Sequence, residues 1–415
     1  MTRRHVAFKT PAAGRILGLV ILSVIVLPTP VQAQEPWTDA RVSERARTHA
    51  PLALLARGEA RRVRGRVEGV GLHPNPSIDY ERQESFAPNA QTQDLARVVV
   101  PFELSGRRDA ARQLAELSAE ESETNASRVG LEVSAQALSL FYRALAAERR
   151  VALLDHAQEA LDDAARILAS RESAGEASGY ESARLSLEVE LARSRFARSR
   201  LAQEVVKQEL AALLGEETTS SLAGDFDVAV PPSVDELMSR AERTLPELAS
   251  LDQRLSTARG ARSAADSAWF PGFAVFGGYN RQEGPLVGHG YSVGMRVDIP
   301  LFDRGQGEQA EAEAAVRAVQ EHGDALRVSL RAQIGAARAR LEGVLAERSR
   351  FGDSTAEAVE LVVRAAAAGF RGGERTLVEL LDARRAALEV AERRVALDLA
   401  VRLADVELRR ITGTR

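Results

Sequence analysis

Two carboxylates near the end of the chain, Glu379 and Asp382, have the spacing of a chemical site. Residues three apart lie on one face of a helix, so both side chains would point the same way. Carboxylates on one helix face favour cations where they line a water-filled path. The alternative interpretation is a solvated helix end with no binding role.

Two segments match enzyme motifs but lack the context that those motifs require. Residues 290–294 fit the serine hydrolase pattern G-x-S-x-G, which needs a tight strand-to-helix turn directly after Ser292. Here the serine lies inside an alternating strand that continues to Ile299. Residues 305–310 fit the dinucleotide-binding pattern G-x-G-x-x-A, but the helix that follows is too long for a βαβ unit. We therefore predict that the protein is not an enzyme and binds no cofactor.

The other side chains that could bind ligands predict neither a metal site nor nucleic-acid binding. Beyond the N-terminal segment the histidines are scattered, with no pair at ligand spacing: His49, His73, His156, His289 and His322. The 415 residues include no cysteine, which excludes disulfides, thiolate ligands and a lipid anchor on an N-terminal cysteine. A net charge of −4 argues against nucleic acid as the main partner.

The strand that precedes residue 300 has a period of two. Large apolar residues at odd positions from Tyr291 to Ile299 alternate with Ser292, Gly294, Arg296 and Asp298, which places the two sets on opposite faces. A very long helix follows, over residues 305–368, and an earlier strand leads into another over residues 106–171. Each would be roughly 100 Å long, which fits a coiled-coil stalk rather than a globular core.

The chain contains an internal repeat. Residues 80–84 match residues 279–283 at an offset of 199, and Pro101 matches Pro300 at the same offset. Each repeat is predicted to contain a helix, a β-hairpin and a long helical hairpin. The predicted bounds are 34–232 for the first repeat, with hairpins 77–102 and 106–214 and then a loop, and 233–415 for the second, with hairpins 271–299 and 305–411.

The N-terminus predicts secretion. A basic region (Arg3, Arg4, Lys9) precedes an apolar core over residues 16–27, and Ala33 ends a small-residue cleavage site. We therefore expect residues 1–33 to be a signal peptide. No internal stretch approaches the roughly 18 apolar residues that a membrane helix needs, so insertion into a membrane would have to use strands.

Four strands in one chain cannot close a sheet, and an open edge in lipid leaves backbone groups unpaired. Three copies with four strands each would give a twelve-stranded barrel with a modest lumen. The predicted fold class is therefore mainly α with a small β part, in which duplicated long helical hairpins form a stalk below a trimeric transmembrane β-barrel. Its lumen face would carry Ser292, Arg296 and Asp298. The alternative is a soluble antiparallel sheet packed on helices.

This plan resembles the TolC-like outer-membrane efflux channels over nearly all of the mature chain. Residues 101–108, Pro-Phe-Glu-Leu-Ser-Gly-Arg-Arg, are similar to the version in CzcC-like heavy-metal members. Residues 368–383 resemble that family's periplasmic tip, in which Ala-Gly-aromatic leads to Gly-x-Arg-Thr and two spaced carboxylates. The resemblance implies a homotrimer in the outer membrane, whose duplicated helical hairpins form a periplasmic tunnel. It also implies docking to a periplasmic adaptor and an inner-membrane pump.

The resemblance also implies roles for individual residues at the tip. Glu379 and Asp382 would point into the tunnel mouth, although the family often has Asp at the first position. Arg375 would help hold the tip closed through an ion pair, with Glu181 as its expected partner. The adaptor-docking tip would comprise Gly175, Glu176, Phe370, Gly372, Gly373 and Glu374.

The predicted function is that of a passive outer-membrane exit channel in a tripartite (RND-type) efflux system. It would export metal ions or small toxic molecules, and the sequence does not choose among metals, drugs and polypeptides as cargo. The alternatives are a periplasmic adaptor, which has a single helical hairpin, and a soluble coiled-coil scaffold.

Overall fold

A computed structural model describes residues 36–85, 91–103, 106–217, 221–266, 269–284 and 287–414. The predicted signal peptide, residues 1–33, lies outside them. The described chain is mainly helical and contains four strands, which confirms the predicted fold class for the single chain. The helices are α1 (Asp39–His49), α2 (Pro51–Val67), α3 (Arg107–Ser173), α4 (Gly179–Leu214), α5 (Val234–Thr244), α6 (Pro246–Ala249), α7 (Leu251–Ala265), α8 (Gln306–Arg350), α9 (Asp353–Arg371) and α10 (Leu377–Thr412).

The strands are β1 (Ser77–Glu84), β2 (Thr92–Phe102), β3 (Gly272–Glu283) and β4 (Gly288–Asp298). They form one antiparallel sheet in the order β1-β2-β3-β4, so that β2 of the first repeat pairs with β3 of the second. Tyr80, Ala96, Tyr279 and Tyr291 are aligned in one row across the sheet. On the helix side of this row the same face carries exposed apolar side chains, among them Ile78, Val293 and Met295. No described helix has an apolar stretch that could cross a bilayer.

Several predicted helices are interrupted. Pro51 and Pro246 each occupy the first turn of a new helix, because proline lacks the N–H that a continuing helix would need. The helix predicted over residues 305–368 is also divided. Gly352, with ψ of −144°, separates α8 from α9. The prediction of one continuous helix here was wrong, because the backbone leaves the helical conformation at Gly352.

Three clusters of buried apolar side chains hold the helices together. One surrounds Phe141 and joins α1, α3 and α4, and a second joins α5, α8 and α10 around Ile334. The third lies at the far end of the long helices and includes Leu168, Leu185 and Leu381. The last cluster therefore fixes the two helical hairpins against each other at their turns.

Arginines hold the segment that links the two repeats. Residues 225–230 of this link lie outside the sheet. Arg402 donates hydrogen bonds to the backbone oxygen of Asp225 (3.0 Å) and to its carboxylate (2.5 Å). Arg348 donates to the backbone oxygen of Phe226 (2.9 Å), and Arg338 to that of Pro232 (2.7 Å). The link is thus positioned by side chains from α8 and α10.

Candidate functional site

Both long helical hairpins turn at a glycine with a left-handed backbone. Gly175 follows α3 with φ of 75°, and Gly373 follows α9 with φ of 77°. Other residues would be strained there by about 1 kcal/mol. In each turn the glycine is followed by a glutamate, one further residue, and the Ser or Thr that precedes the returning helix. The two turns are therefore built from the same local sequence.

A capping box begins each returning helix. The carboxylate of Glu379 accepts hydrogen bonds from the backbone N–H (2.8 Å) and hydroxyl (3.1 Å) of Thr376, whose hydroxyl accepts one from the Glu379 N–H (3.3 Å). Ser178 and Glu181 form the same arrangement at the start of α4. Neither cap was predicted above, although the spacing Ser/Thr-x-x-Glu is a signal for them. Two of the predicted gate residues, Glu181 and Glu379, are therefore also the glutamates of capping boxes.

The predicted gate residues are only partly brought together within one chain. Arg375 Nη1 lies 3.0 Å from Glu379 Oε1, and both side chains are about half exposed. Glu181 instead faces Ser178. Asp382 is exposed on α10 one turn after Glu379. The pairing of Arg375 with Glu181 stays a prediction that concerns the assembled tip.

Most of the predicted docking residues lie on the surface of the two turns, but Phe370 does not. Its side chain is 2% exposed and belongs to the cluster beneath the tip. The guanidinium of Arg171 lies 5.7 Å from the centre of the Phe370 ring and donates a hydrogen bond to the Phe370 backbone oxygen (3.4 Å). Phe370 therefore supports the turn from below and is not a surface contact. The exposed members are Gly175, Glu176, Gly372, Gly373 and Glu374.

The hydrogen bond from the Thr376 backbone, supported by its hydroxyl and by Arg375, holds the pKa of Glu379 below its ordinary value of 4.5. A carboxylate whose pKa is lower in the folded state stabilises the folded turn at pH values above its ordinary pKa. This stabilisation is lost as the pH falls through the lowered pKa. We expect amide hydrogen exchange in the first turn of α10 to accelerate on acidification below pH 4.5.

The matched control for this prediction is Glu379→Gln. Glutamine can complete a capping box but does not titrate. Its first-turn exchange, corrected for intrinsic pH effects, should stay constant over the same range. Equal acid sensitivity in the variant and the natural chain would contradict the assignment to Glu379.

The polar residues of β4 share one face of the sheet. Ser292 is opposite Gly278, which is opposite Arg97, so all three belong to the face that also carries Arg296 and Asp298. Arg296 and Asp298 are exposed, whereas the Ser292 hydroxyl is buried and has no hydrogen-bond partner among the described atoms. Ser292 lies in mid-strand and not at a strand-to-helix turn. This position does not fit the serine hydrolase motif.

The residues that the structure describes contain no group of three or more His, Cys, Asp or Glu side chains able to hold a metal ion. Gly305, the first glycine of the dinucleotide-like motif, has φ of 80° and precedes the 45-residue helix α8. Its role here is to turn the chain from the sheet into that helix. The two turns and the polar face of the sheet remain the candidate functional surfaces.

Residues 237–414 match the sequence profile of the family described as outer membrane efflux protein. The chain is 24% identical over 359 residues to the cobalt-zinc-cadmium resistance protein CzcC of Cupriavidus metallidurans, covering 86% of this chain and 85% of that protein. Its fold is similar to a membrane protein from Pseudomonas aeruginosa, with a TM-score of 0.72, 18% identity, and coverage of 90% and 93%. It is also similar to the outer membrane protein VceC from Vibrio cholerae, with a TM-score of 0.70, 15% identity, and coverage of 91% and 96%.

Proposed function

Because this chain is a member of the TolC-like outer-membrane efflux family, we propose that it is the outer-membrane exit channel of a tripartite efflux system. The observation that carries the proposal is a sheet with one exposed apolar face and two free edges. Tyr291, Val293 and Met295 on that face are 88%, 81% and 67% exposed. Lipid would cover these side chains, and neighbouring copies would pair the free edges of β1 and β4.

The proposed assembly is a homotrimer whose twelve strands close one barrel. Helix α4 supports it with an apolar stripe that stays solvent-exposed in the part of the chain that the structure describes. Leu187, Leu191, Leu201 and Val205 are 60%, 45%, 66% and 45% exposed and follow the spacing of a coiled-coil seam. A helix of a neighbouring copy would cover this stripe.

The helical hairpins would form the periplasmic tunnel. Helix α3 has 67 residues, which corresponds to roughly 100 Å. Its far end carries the two turns, where the exposed residues are available to a periplasmic adaptor. The channel itself would be passive, with energy supplied by an inner-membrane pump. The alternative function of a periplasmic adaptor is disfavoured, because an adaptor has one helical hairpin whereas this chain has two, joined through one shared sheet.

The proposed cargo class is metal cations. The similarity to a cobalt-zinc-cadmium resistance protein supports this choice, as does the pair Glu379 and Asp382 at the tip. Three copies with two carboxylates each would present six negative charges at the tunnel mouth, which favours cations. Deletion of the gene should therefore sensitise cells to metal salts, and a panel of drugs tests the alternative cargo.

Bilayer recordings of the purified protein test the channel and its tip separately. In a salt gradient we expect the ratio of cation to anion permeability to fall about threefold or more in the variant Glu379→Gln/Asp382→Asn, because its trimeric tip lacks six negative charges. Glu360→Gln, which removes an exposed carboxylate on α9, should leave the preference unchanged.

The possible outcomes of this experiment separate two claims. If the natural protein gives no single-channel events and leaves the cell with the soluble periplasm, the proposed function is wrong. If events occur but their selectivity is the same in both proteins, only the carboxylate ring is wrong.

A further inference from the structure

Large side chains on the polar face of the sheet lie over glycines of the neighbouring strand. The clearest case is Phe276 on β3, which covers Gly294 on β4. A methyl group at Gly294 would lie 2.5 Å from Cζ of Phe276 and 3.0–3.1 Å from both Cε atoms. The ring is therefore in close contact with the backbone of β4 and occupies the space that a side chain at 294 would need.

Two further glycines on the same face are covered in the same way. A methyl group at Gly278 would lie 2.6 Å from Cγ of Arg97, and one at Gly290 would collide with the Asn280 carboxamide. The guanidinium of Arg97 lies 5.8 Å from the centre of the Phe276 ring and 3.6 Å from Glu81. These contacts keep the Arg97 side chain against the surface of the sheet, so that it does not project from it.

The opposite face does not show this arrangement at its glycine. Gly277 is adjacent to Gly278 but faces the other side, and a methyl group there would meet nothing within 4 Å. Glycine in a strand interior weakens the strand and often marks a close approach of another group. At Gly290 and Gly294 the close approach comes from side chains of the same sheet, and at Gly278 it comes from Arg97 together with the backbone oxygen of Ala96.

We propose that Gly294, with Gly278 and Gly290, sets the bore of the barrel. The inference rests on the proposed channel function. Side chains in strands normally stand roughly perpendicular to the sheet. In a closed barrel a perpendicular Phe276 would project toward the axis from three positions at one height. The glycines let it lie against the wall, so they determine the largest solute that passes.

This assignment explains the segment that resembles a serine hydrolase motif. Both of its glycines, Gly290 and Gly294, lie beneath side chains of β3. Ser292 lies between them with its hydroxyl buried. The spacing of two between these residues reflects the alternation of the strand, which brings every second residue to the lumen face.

Single-cysteine labelling tests the proposal, since the natural chain contains no cysteine. Arg296 is exposed and lies nearer than Gly294 to the end of β4 that joins α8. A thiol reagent added outside the cell would thus pass Phe276 before reaching Arg296→Cys. In this background Gly294→Ala should slow labelling by a bulky maleimide about fivefold or more, because the displaced ring narrows the path, and should leave a small methanethiosulfonate unaffected.

Two variants control for general damage to the sheet. In the Arg296→Cys chain, Gly277→Ala should leave the rate of labelling at position 296 unchanged, because the added methyl group meets open space. Phe276→Ala should restore bulky labelling in the Gly294→Ala chain and should not slow it in the parent. The second result keeps the proposal testable if Gly294→Ala fails to assemble.

The outcomes again separate the inference from the function. The bore assignment is overturned if the parent labels with both reagents and Gly294→Ala labels at the same rates as the parent. It is also overturned if Gly277→Ala slows bulky labelling as much as Gly294→Ala does. If Phe276→Ala slows the bulky reagent, it is overturned as well. If the parent resists even the small reagent and does not fractionate with the outer membrane, the proposed channel itself is wrong.

Discussion

Leu201→Asp is expected to yield a helical but monomeric protein that fails to enter the outer membrane. Leu201 is 66% exposed in the apolar stripe on α4, so the change costs the single chain little. In the proposed trimer the same position is covered by a neighbouring copy, and an unpaired carboxylate there costs several kcal/mol. Because three copies repeat the defect, the barrel would not close.

Outer-membrane fractionation and chemical crosslinking measure this effect, and circular dichroism checks that the helices persist. Val230→Asp is the matched control, because Val230 is 77% exposed and lies in the link between α4 and α5, away from the stripe. It should remain trimeric. A Leu201→Asp protein that still crosslinks as a trimer in the membrane would show that α4 does not form the subunit contact.

Arg402→Ala is expected to destabilise the protein by about 2–4 kcal/mol, because a buried arginine and its hydrogen bonds are removed together. Arg402 is 6% exposed, and its guanidinium lies 4.9 Å from the centre of the Tyr142 ring. It holds both the backbone and the carboxylate of Asp225. Loss of Arg402 would release the link between the repeats and leave a cavity beside Tyr142.

The neighbouring groups support this assignment. Burial raises the pKa of Tyr142, so its hydroxyl stays protonated and donates a hydrogen bond to Asp39 (3.2 Å). Trp37 is 6% exposed in the same core, and it provides a local fluorescence signal for unfolding once the exposed Trp269 is replaced by Phe. Denaturant titration in detergent, followed by this signal, measures the effect of Arg402→Ala.

Two variants calibrate that measurement. Arg402→Lys keeps the charge but cannot reproduce the planar pair of hydrogen bonds, so its loss should be intermediate. Arg128→Ala removes a 3.4 Å ion pair with Glu247 between exposed side chains and should cost less than about 1 kcal/mol. If Arg402→Ala and Arg128→Ala have equal effects, Arg402 is not a structural anchor.

Much of the fold could be predicted because it depends on local rules. Alternation fixed the two faces of β4, and uninterrupted helix-forming residues gave α3 within two residues of its observed bounds, Arg107–Ser173. The division at Gly352 was missed, because one glycine in a long helical pattern is usually tolerated. The capping boxes at Thr376 and Ser178 were also local signals, but they were not predicted, because their glutamates were assigned only to the gate.

The burial of Phe370 could not be predicted in this way. An aromatic residue in a turn motif suggested a surface contact, but side chains from α3 and α10 cover it. Which helices meet at the tip depends on how the two repeats pack, and neither repeat specifies this alone.

The sequence by itself determined the elements, the two faces of each strand and the two glycine turns, since these depend on residues a few positions apart. The tertiary structure decided which side chains meet across the repeats. Arg97 lies over Gly278 because β2 pairs with β3 in one register, and a shift by one residue would turn it to the other face. Arg402 reaches Asp225, 177 residues away, only after both repeats have packed.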